Sequence, residues 1–247
     1  MALFEAQHLH KRFGAQVVLE EINLSFEAGR LSGIMGPNGA GKTTCFNLLT
    51  GRYKPDRGRV IFDGRDITGL APRRIAAMGV ARSFQLMNLF DEFSVLENVM
   101  IARPEARARG FNFIRDLLAD STATDRAAEV LAKVGLAGKE RLPARSLSYG
   151  QRRALEIGVA LACEPRILFL DEPTSGLGTE GTARLAELVR ELRRSYTMVV
   201  IEHDMRFLFG LADRISVIHW GQVIAEGTPD ELRQNPWIRA SQIGEAA

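Results

Sequence analysis

Gly36-Pro37-Asn38-Gly39-Ala40-Gly41-Lys42-Thr43 fits the spacing Gly, four free residues, Gly, Lys, Ser/Thr, and few folds accommodate it. Glycines let successive backbone N–H groups converge on oxyanions, Lys42 reaches the outer phosphates, and Thr43 offers a hydroxyl to a magnesium ion. The flanks agree: Leu31 to Met35 reads as a short strand, and Thr44 to Leu49 reads as a helix whose positive N-terminal end faces the phosphates. The pattern therefore predicts a nucleoside triphosphate site in an α/β fold, in preference to a plain glycine-rich turn.

With 247 residues, 46% of them apolar, the chain can build a sizeable core, so disorder is excluded. The 32 basic and 30 acidic residues nearly cancel, which argues against nucleic acid as the main partner. Cys45 and Cys163 each sit in an apolar helical pattern, which suits buried thiols in a reducing compartment, and a cytoplasmic location is expected. No leader and no run of about 18 apolar residues is present, so any membrane association needs a partner. His8, His10, His203 and His219 lack zinc spacing.

Along the chain, strands are expected over Leu3–His8 and Val17–Phe26, with Phe13 beside the turn between them, where it either caps the sheet core or stacks on a purine base. Arg59–Phe62 followed by Asp63-Gly64 reads as a strand entering a hairpin, giving a small antiparallel sheet. Pro72–Ala77 reads as a helix and Val80–Gln85 as extended. Asn88 to Ser121, with arginines at 103, 107, 109 and 115, reads as a solvated loop leading to a short helix, or as a contact surface. Asp125–Leu136 has apolar residues at helical spacing. Leu147-Ser148-Tyr149-Gly150-Gln151 opens a further helix through Ala162, and read alone Ser148 is an N-cap.

Ile167 to Leu170 suits a parallel strand buried on both faces, and Asp171-Glu172 stands at its C-terminal end, where α/β sheets bind ligands. A solvated loop is the alternative, but a neighbouring triphosphate and magnesium explain two adjacent acids better. Thr179–Arg194 is an amphipathic helix, and Met198–Ile201 a second buried strand ending in Glu202 and His203. A helix over Asp204–Ala212, a hairpin around Gly221 and a helix after Thr228-Pro229 complete the chain.

The phosphate loop, Gln85, Leu147 to Gln151, Asp171-Glu172 and His203 occur in the order of the ATP-binding cassette (ABC) ATPases, which the sequence resembles over nearly its whole length. The motif Leu147 to Gln151 discriminates, since many P-loop proteins share the loop and the acids. The resemblance implies one ABC ATPase domain over 1–247: a P-loop NTPase with a RecA-like α/β core, an antiparallel β subdomain and an inserted α-helical subdomain at approximately 86–163. It implies ATP and Mg2+ as ligands. Nucleotide contacts carry over to Phe13, to Gly36, Pro37, Asn38, Gly39, Ala40, Gly41, Lys42, Thr43 and Thr44, and to Ser148, Gly150 and Gln151. Thr43, Gln85 and Asp171 carry over as metal contacts, and Glu172 as the base, assisted by Gln85 and His203. The resemblance also implies that two cassettes, alike or different, pair head to tail, so that Ser148 and Gly150 would meet the γ-phosphate bound by the other chain's Lys42.

Two positions depart from the family pattern: Gly178 stands where Asp is usual, which weakens the expected contact across the dimer, and Tyr149 stands where Gly is common. Three functions compete: a motor for a separate membrane permease at the inner face of the membrane, a cassette ATPase acting on ribosomes or DNA, and a nucleoside or shikimate-type kinase. The kinase fails on Leu147 to Gln151, no tandem repeat or heptad insertion supports the second, and within the first an exporter subunit stays open beside an importer. Arg82-Ser83-Phe84-Gln85, the insertion after Glu97-Asn98, Ile201 to Met205 and the tail from Ala225 through Asn235-Pro236 to Ala246 resemble the ATPases of branched-chain amino acid importers, a group whose close relatives serve urea, amides and other small solutes. The resemblance implies permease subunits and, through them, a solute-binding protein. Gln85 to about Leu118, with Leu86, Leu89, Phe90 and Phe93, is the expected permease groove.

Overall fold

The computed structural model describes residues 2–83, 89–104, 120–236 and 238. Two sheets carry the architecture. The first is antiparallel, order β2-β1-β4-β5, from β1 (Ala2–Phe13), β2 (Gln16–Glu27), β4 (Arg57–Phe62) and β5 (Arg65–Asp66). The second has the order β10-β9-β3-β8-β7-β6, from β3 (Leu31–Met35), β6 (Val80–Arg82), β7 (Ile167–Asp171), β8 (Thr197–Glu202), β9 (Arg214–His219) and β10 (Gln222–Gly227). It is parallel except for β10, which runs antiparallel to β9.

β3, β7 and β8 are buried throughout because both faces of this sheet are covered. Side chains alternate between two cores with the period of two that strands impose. Leu168, Leu170, Met198 and Val200 face the helices, whereas Ile167, Phe169, Val199 and Ile201 face the antiparallel sheet. Phe169 is the pivot of that second core, with ring centroids 5.2 Å from Phe4, 6.1 Å from Phe26 and 6.2 Å from Phe46. Edge-on packing of this kind contributes about 0.5–1.5 kcal/mol per pair beyond buried area.

The helices are α1 (Lys42–Leu49), α2 (Pro72–Ala77), α3 (Val95–Ala102), α4 (Ser121–Lys133), α5 (Tyr149–Leu161), α6 (Thr179–Leu192), α7 (Met205–Phe209) and α8 (Pro229–Gln234). α3, α4 and α5 pack on one another through Val95, Val99, Ala127, Leu131 and Leu155, between β6 and β7 in the chain. No described helix is long and apolar enough to cross a membrane.

Several expectations are corrected. α3 lies where a loop was expected: Ser94 accepts from the Glu97 amide and the Glu97 carboxylate accepts from the Ser94 amide, a capping box worth about 1 kcal/mol. Arg103 is not solvated; only 2% of it is exposed, and it bonds Glu164 at 3.4 Å. β1 continues past His8 because a register shift around that residue lets pairing resume to Phe13. α4 starts earlier, at an Asp120 cap, and ends at Lys133, and α7 spans only Met205–Phe209.

Candidate functional site

β3 delivers the chain into the 36–41 loop, and α1 begins directly at Lys42. Gly41 is the N-cap at φ 101, where a Cβ would lie 2.6 Å from Leu19 Cδ2, so the turn requires glycine. The loop is braced from outside: the Gly221 amide donates to the Ala40 carbonyl, and the Glu20 amide donates to the Gly221 carbonyl. No side chain caps α1. Its first-turn amides are left for an external acceptor, which is the arrangement that anion-binding helices use. Asn38, Gly39 and Thr43 are exposed, and Thr44 is half-buried.

Lys42 is buried and folds back, donating to the Gly36 carbonyl at 2.7 Å and the Pro37 carbonyl at 3.0 Å. Burial pulls its pKa down, while Glu172, Glu202 and Asp171 pull it up, in that order. One ammonium thus faces three carboxylates from the C-terminal ends of β7 and β8.

Asp171 is 3% exposed, and its Oδ1 is buried without a hydrogen-bond partner among the described residues. Burial, then the charges of Glu172 and Glu202, push its carboxyl up to about 6 against the pull of Arg82 and Lys42. A buried orphan oxygen beside a phosphate-type loop fits a divalent cation, which takes oxygen ligands and satisfies that lone pair. Glu172 follows at φ 44, its amide donating to the Ile201 carbonyl at 2.8 Å. That kink turns it out of the strand line and leaves it half-buried.

Glu202 is fully buried. It accepts from the Thr174 amide at 2.8 Å, the Thr174 hydroxyl at 2.6 Å and the His203 amide at 3.1 Å. It therefore locks the segment after Glu172 to the end of β8, with the His203 ring exposed beside it. Sequence reasoning gave Glu202 no role; the signal was a second buried strand ending in an acid. Arg82 was missed too: it donates to Thr50 Oγ1 at 2.9 Å, and its guanidinium lies 5.2 Å from the centroid of the Phe46 ring.

Phe13 does not cap the core. It is 45% exposed at the end of β1, edge-on to Tyr53 with centroids 5.5 Å apart. Ser148, Gly150 and Gln151 lie elsewhere, at the start of α5. Ser148 Oγ accepts from the Gln151 amide, and Gln151 Oε1 accepts from the Ser148 amide. They line a cavity of about 670 Å³ between α5, α6 and the end of α4, to which the 36–43 loop does not contribute. Gln85, Leu86 and 105–119 lie outside the described residues.

Residues 19–175 match the ABC transporter family. The chain is 40% identical to the high-affinity branched-chain amino acid transport ATP-binding protein LivG of Escherichia coli, over 99% of this chain and 98% of that protein. It is 39% identical, with the same coverage, to BraF of Pseudomonas aeruginosa, which carries the same description. Its fold is similar to a crystal structure of the ADP conformation of an ATP-binding cassette of an ABC transporter, with a TM-score of 0.86, 30% identity, and coverage of 99% of this chain and 100% of that one.

Proposed function

The chain belongs to the ABC transporter family, and we propose that it is the ATP-hydrolysing subunit of an importer that takes up branched-chain or related amino acids through a separate permease. Lys42 facing Asp171, Glu172 and Glu202 carries the chemical part of this reading. The cargo rests on the descriptions of LivG and BraF.

In this reading 1–247 is one ABC ATPase domain, with 86–163 approximately its helical subdomain. Lys42 exchanges the Gly36 and Pro37 carbonyls for phosphate oxygens, joined by the amides of 38–44. The Phe13 ring receives the adenine. Thr43 and Asp171 would hold Mg2+, and Gln85 is assigned to it by the family resemblance alone. Bound there, the ion would offset the phosphate charge and accept a lone pair from the Asp171 oxygen that otherwise has no hydrogen-bond partner among the described residues. Glu172 takes a proton from the attacking water as its oxygen bonds the γ-phosphorus and the bridging oxygen leaves with ADP. His203 contacts the γ-phosphate.

Ser148, Gly150 and Gln151 serve the site of a second cassette, alike or different, in a head-to-tail pair. Their separate cavity supports this, since within one chain they have no bond to Lys42 among the described residues. The permease docks on the inner face of the membrane at the cleft of about 310 Å³ between α2, β6 and α5, which Leu89 lines. Phe90, 54% exposed and stacked on Phe93 at 5.3 Å, extends this apolar surface. A solute-binding protein supplies the permease, and nucleic acid has no part.

The test is ATP-dependent uptake by vesicles holding the reconstituted permease, this chain and the solute-binding protein. Leucine, isoleucine and valine should each compete for uptake. Competition by urea or an amide alone would move the cargo to that neighbouring branch.

A further inference from the structure

Tyr149 is the first residue of α5 and Gly176 lies in the turn after Glu172, yet the two touch. The Tyr149 hydroxyl donates to the Ser175 carbonyl at 3.1 Å. Its ring covers Gly176 so closely that a Cβ there would sit 2.6 Å from the hydroxyl oxygen and 2.9 Å from Cζ. Gly176 has φ +76, so the turn and the ring are fitted to each other.

This turn is the one that holds Glu172. The Ser175 amide donates to the Glu172 carbonyl at 3.0 Å, and the Leu177 amide donates to the Thr174 carbonyl at 3.0 Å. Thr174 in turn is clamped by the buried Glu202. Glu172 itself sits at φ 44, a conformation that a non-glycine residue holds only when its surroundings over-determine it. From the sheet side that constraint comes through Glu202 and Ile201; from the helical side Tyr149 reaches the same turn.

We infer that Tyr149 is a positioning residue for ATP hydrolysis in its own chain, tying the start of α5 to the turn that aims Glu172. Through it, a shift of α5 acts directly on the Glu172 turn, with no second cassette required. The inference rests on the assignment of Glu172 as base, and its test is chosen to separate the two.

Tyr149→Phe keeps the ring over Gly176 and deletes only the hydroxyl. In the full chain, without nucleotide, hydrogen–deuterium exchange across 174–178 should rise about five-fold, the change expected for one hydrogen bond. In steady-state ATP hydrolysis kcat should fall about five-fold with KM for ATP unchanged. In a cycle with Gly176→Ala, the loss caused by alanine should shrink when Tyr149→Ala has removed the ring it collides with. Unchanged exchange in Tyr149→Phe overturns the tether. Faster exchange with unchanged kcat, or with KM raised in step, overturns its part in aiming Glu172. If the exchange result is as expected but Glu172→Gln hydrolyses ATP like the wild type, the base assignment fails instead.

Discussion

Asp171→Asn should stabilise the nucleotide-free protein at neutral and alkaline pH. The carboxyl is 3% exposed and is moved from 3.8 to about 6, first by burial, then by Glu172, with Glu202 adding to it. A displacement of that size corresponds to about 3 kcal/mol. Because the folded pKa is the higher one, the folded state holds this proton more tightly than the unfolded chain does. The contribution is complete below about pH 4 and is lost as pH rises through about 6. Asparagine has no charge to bury, so the variant should be about 2–3 kcal/mol more stable than the wild type near pH 8 and close to it near pH 4. Urea unfolding followed by circular dichroism, in EDTA and without nucleotide, measures the gap at both pH values. Mg2+ with ATP should reverse the order, since only the wild type keeps the carboxylate for the ion. A gap that is equal at the two pH values, or an asparagine variant less stable near pH 8, would refute the electrostatic account.

Glu172→Gln should bind ATP with wild-type affinity and lose turnover by about 100-fold or more, while Lys42→Ala should weaken ATP binding itself; equilibrium titration beside steady-state hydrolysis separates the two. Gly178 is the N-cap of α6 in extended conformation, with no side-chain cap and open space at its Cβ position. Gly178→Asp should therefore add a few tenths of a kcal/mol, raising Tm by about 1 °C in calorimetry. Arg153 and Glu156 form a buried pair at 2.7 Å. Glu156→Ala should lower stability in urea unfolding by removing the carboxylate that accepts from Arg153 Nη1, and replacing both residues with apolar ones of similar size should cost less.

The central sheet was legible because β7 and β8 bury both faces and so read as apolar runs, and β3 because it leads directly into the 36–43 loop. α1, α2, α5 and α6 carried their own signals in glycine, proline, an N-cap serine and an amphipathic period. α3 was hidden by Asn98, which interrupts the apolar pattern but is buried because it bonds both the amide and the carbonyl of Phe90 and the Ser94 carbonyl. No local pattern anticipates such partners; the Ser94–Glu97 spacing was the available clue. Arg103 looked solvated for the same reason. Site membership was legible where one segment supplies it, as in 36–43 and 171–172. Glu202 needed the strand order: β8 lies between β3 and β7, with Glu202 opposite Met35 and Ile201 opposite Asp171.

That strand order also explains why the site would suit a cation. Parallel strands bring their C-terminal ends together, so Asp171, Glu172 and Glu202 crowd one end of the sheet, and two of the three are almost fully buried. Glu202 is satisfied by three donors from Thr174 and His203. Asp171 Oδ1 has none among the described residues, and Lys42 spends its hydrogen bonds on loop carbonyls. Burial, with Glu172 and Glu202 beside it, pushes the Asp171 carboxyl up to about 6 in the nucleotide-free protein. A triphosphate would bring more negative charge to the same place, drawing Lys42 toward the phosphates and leaving the Asp171 charge less compensated. A divalent ion held by Asp171 would offset both, since such ions take carboxylate and phosphate oxygens alike. In the proposed reading nucleotide and metal would therefore bind interdependently, and the origin of that dependence is the buried Asp171 Oδ1, which has no donor among the described residues.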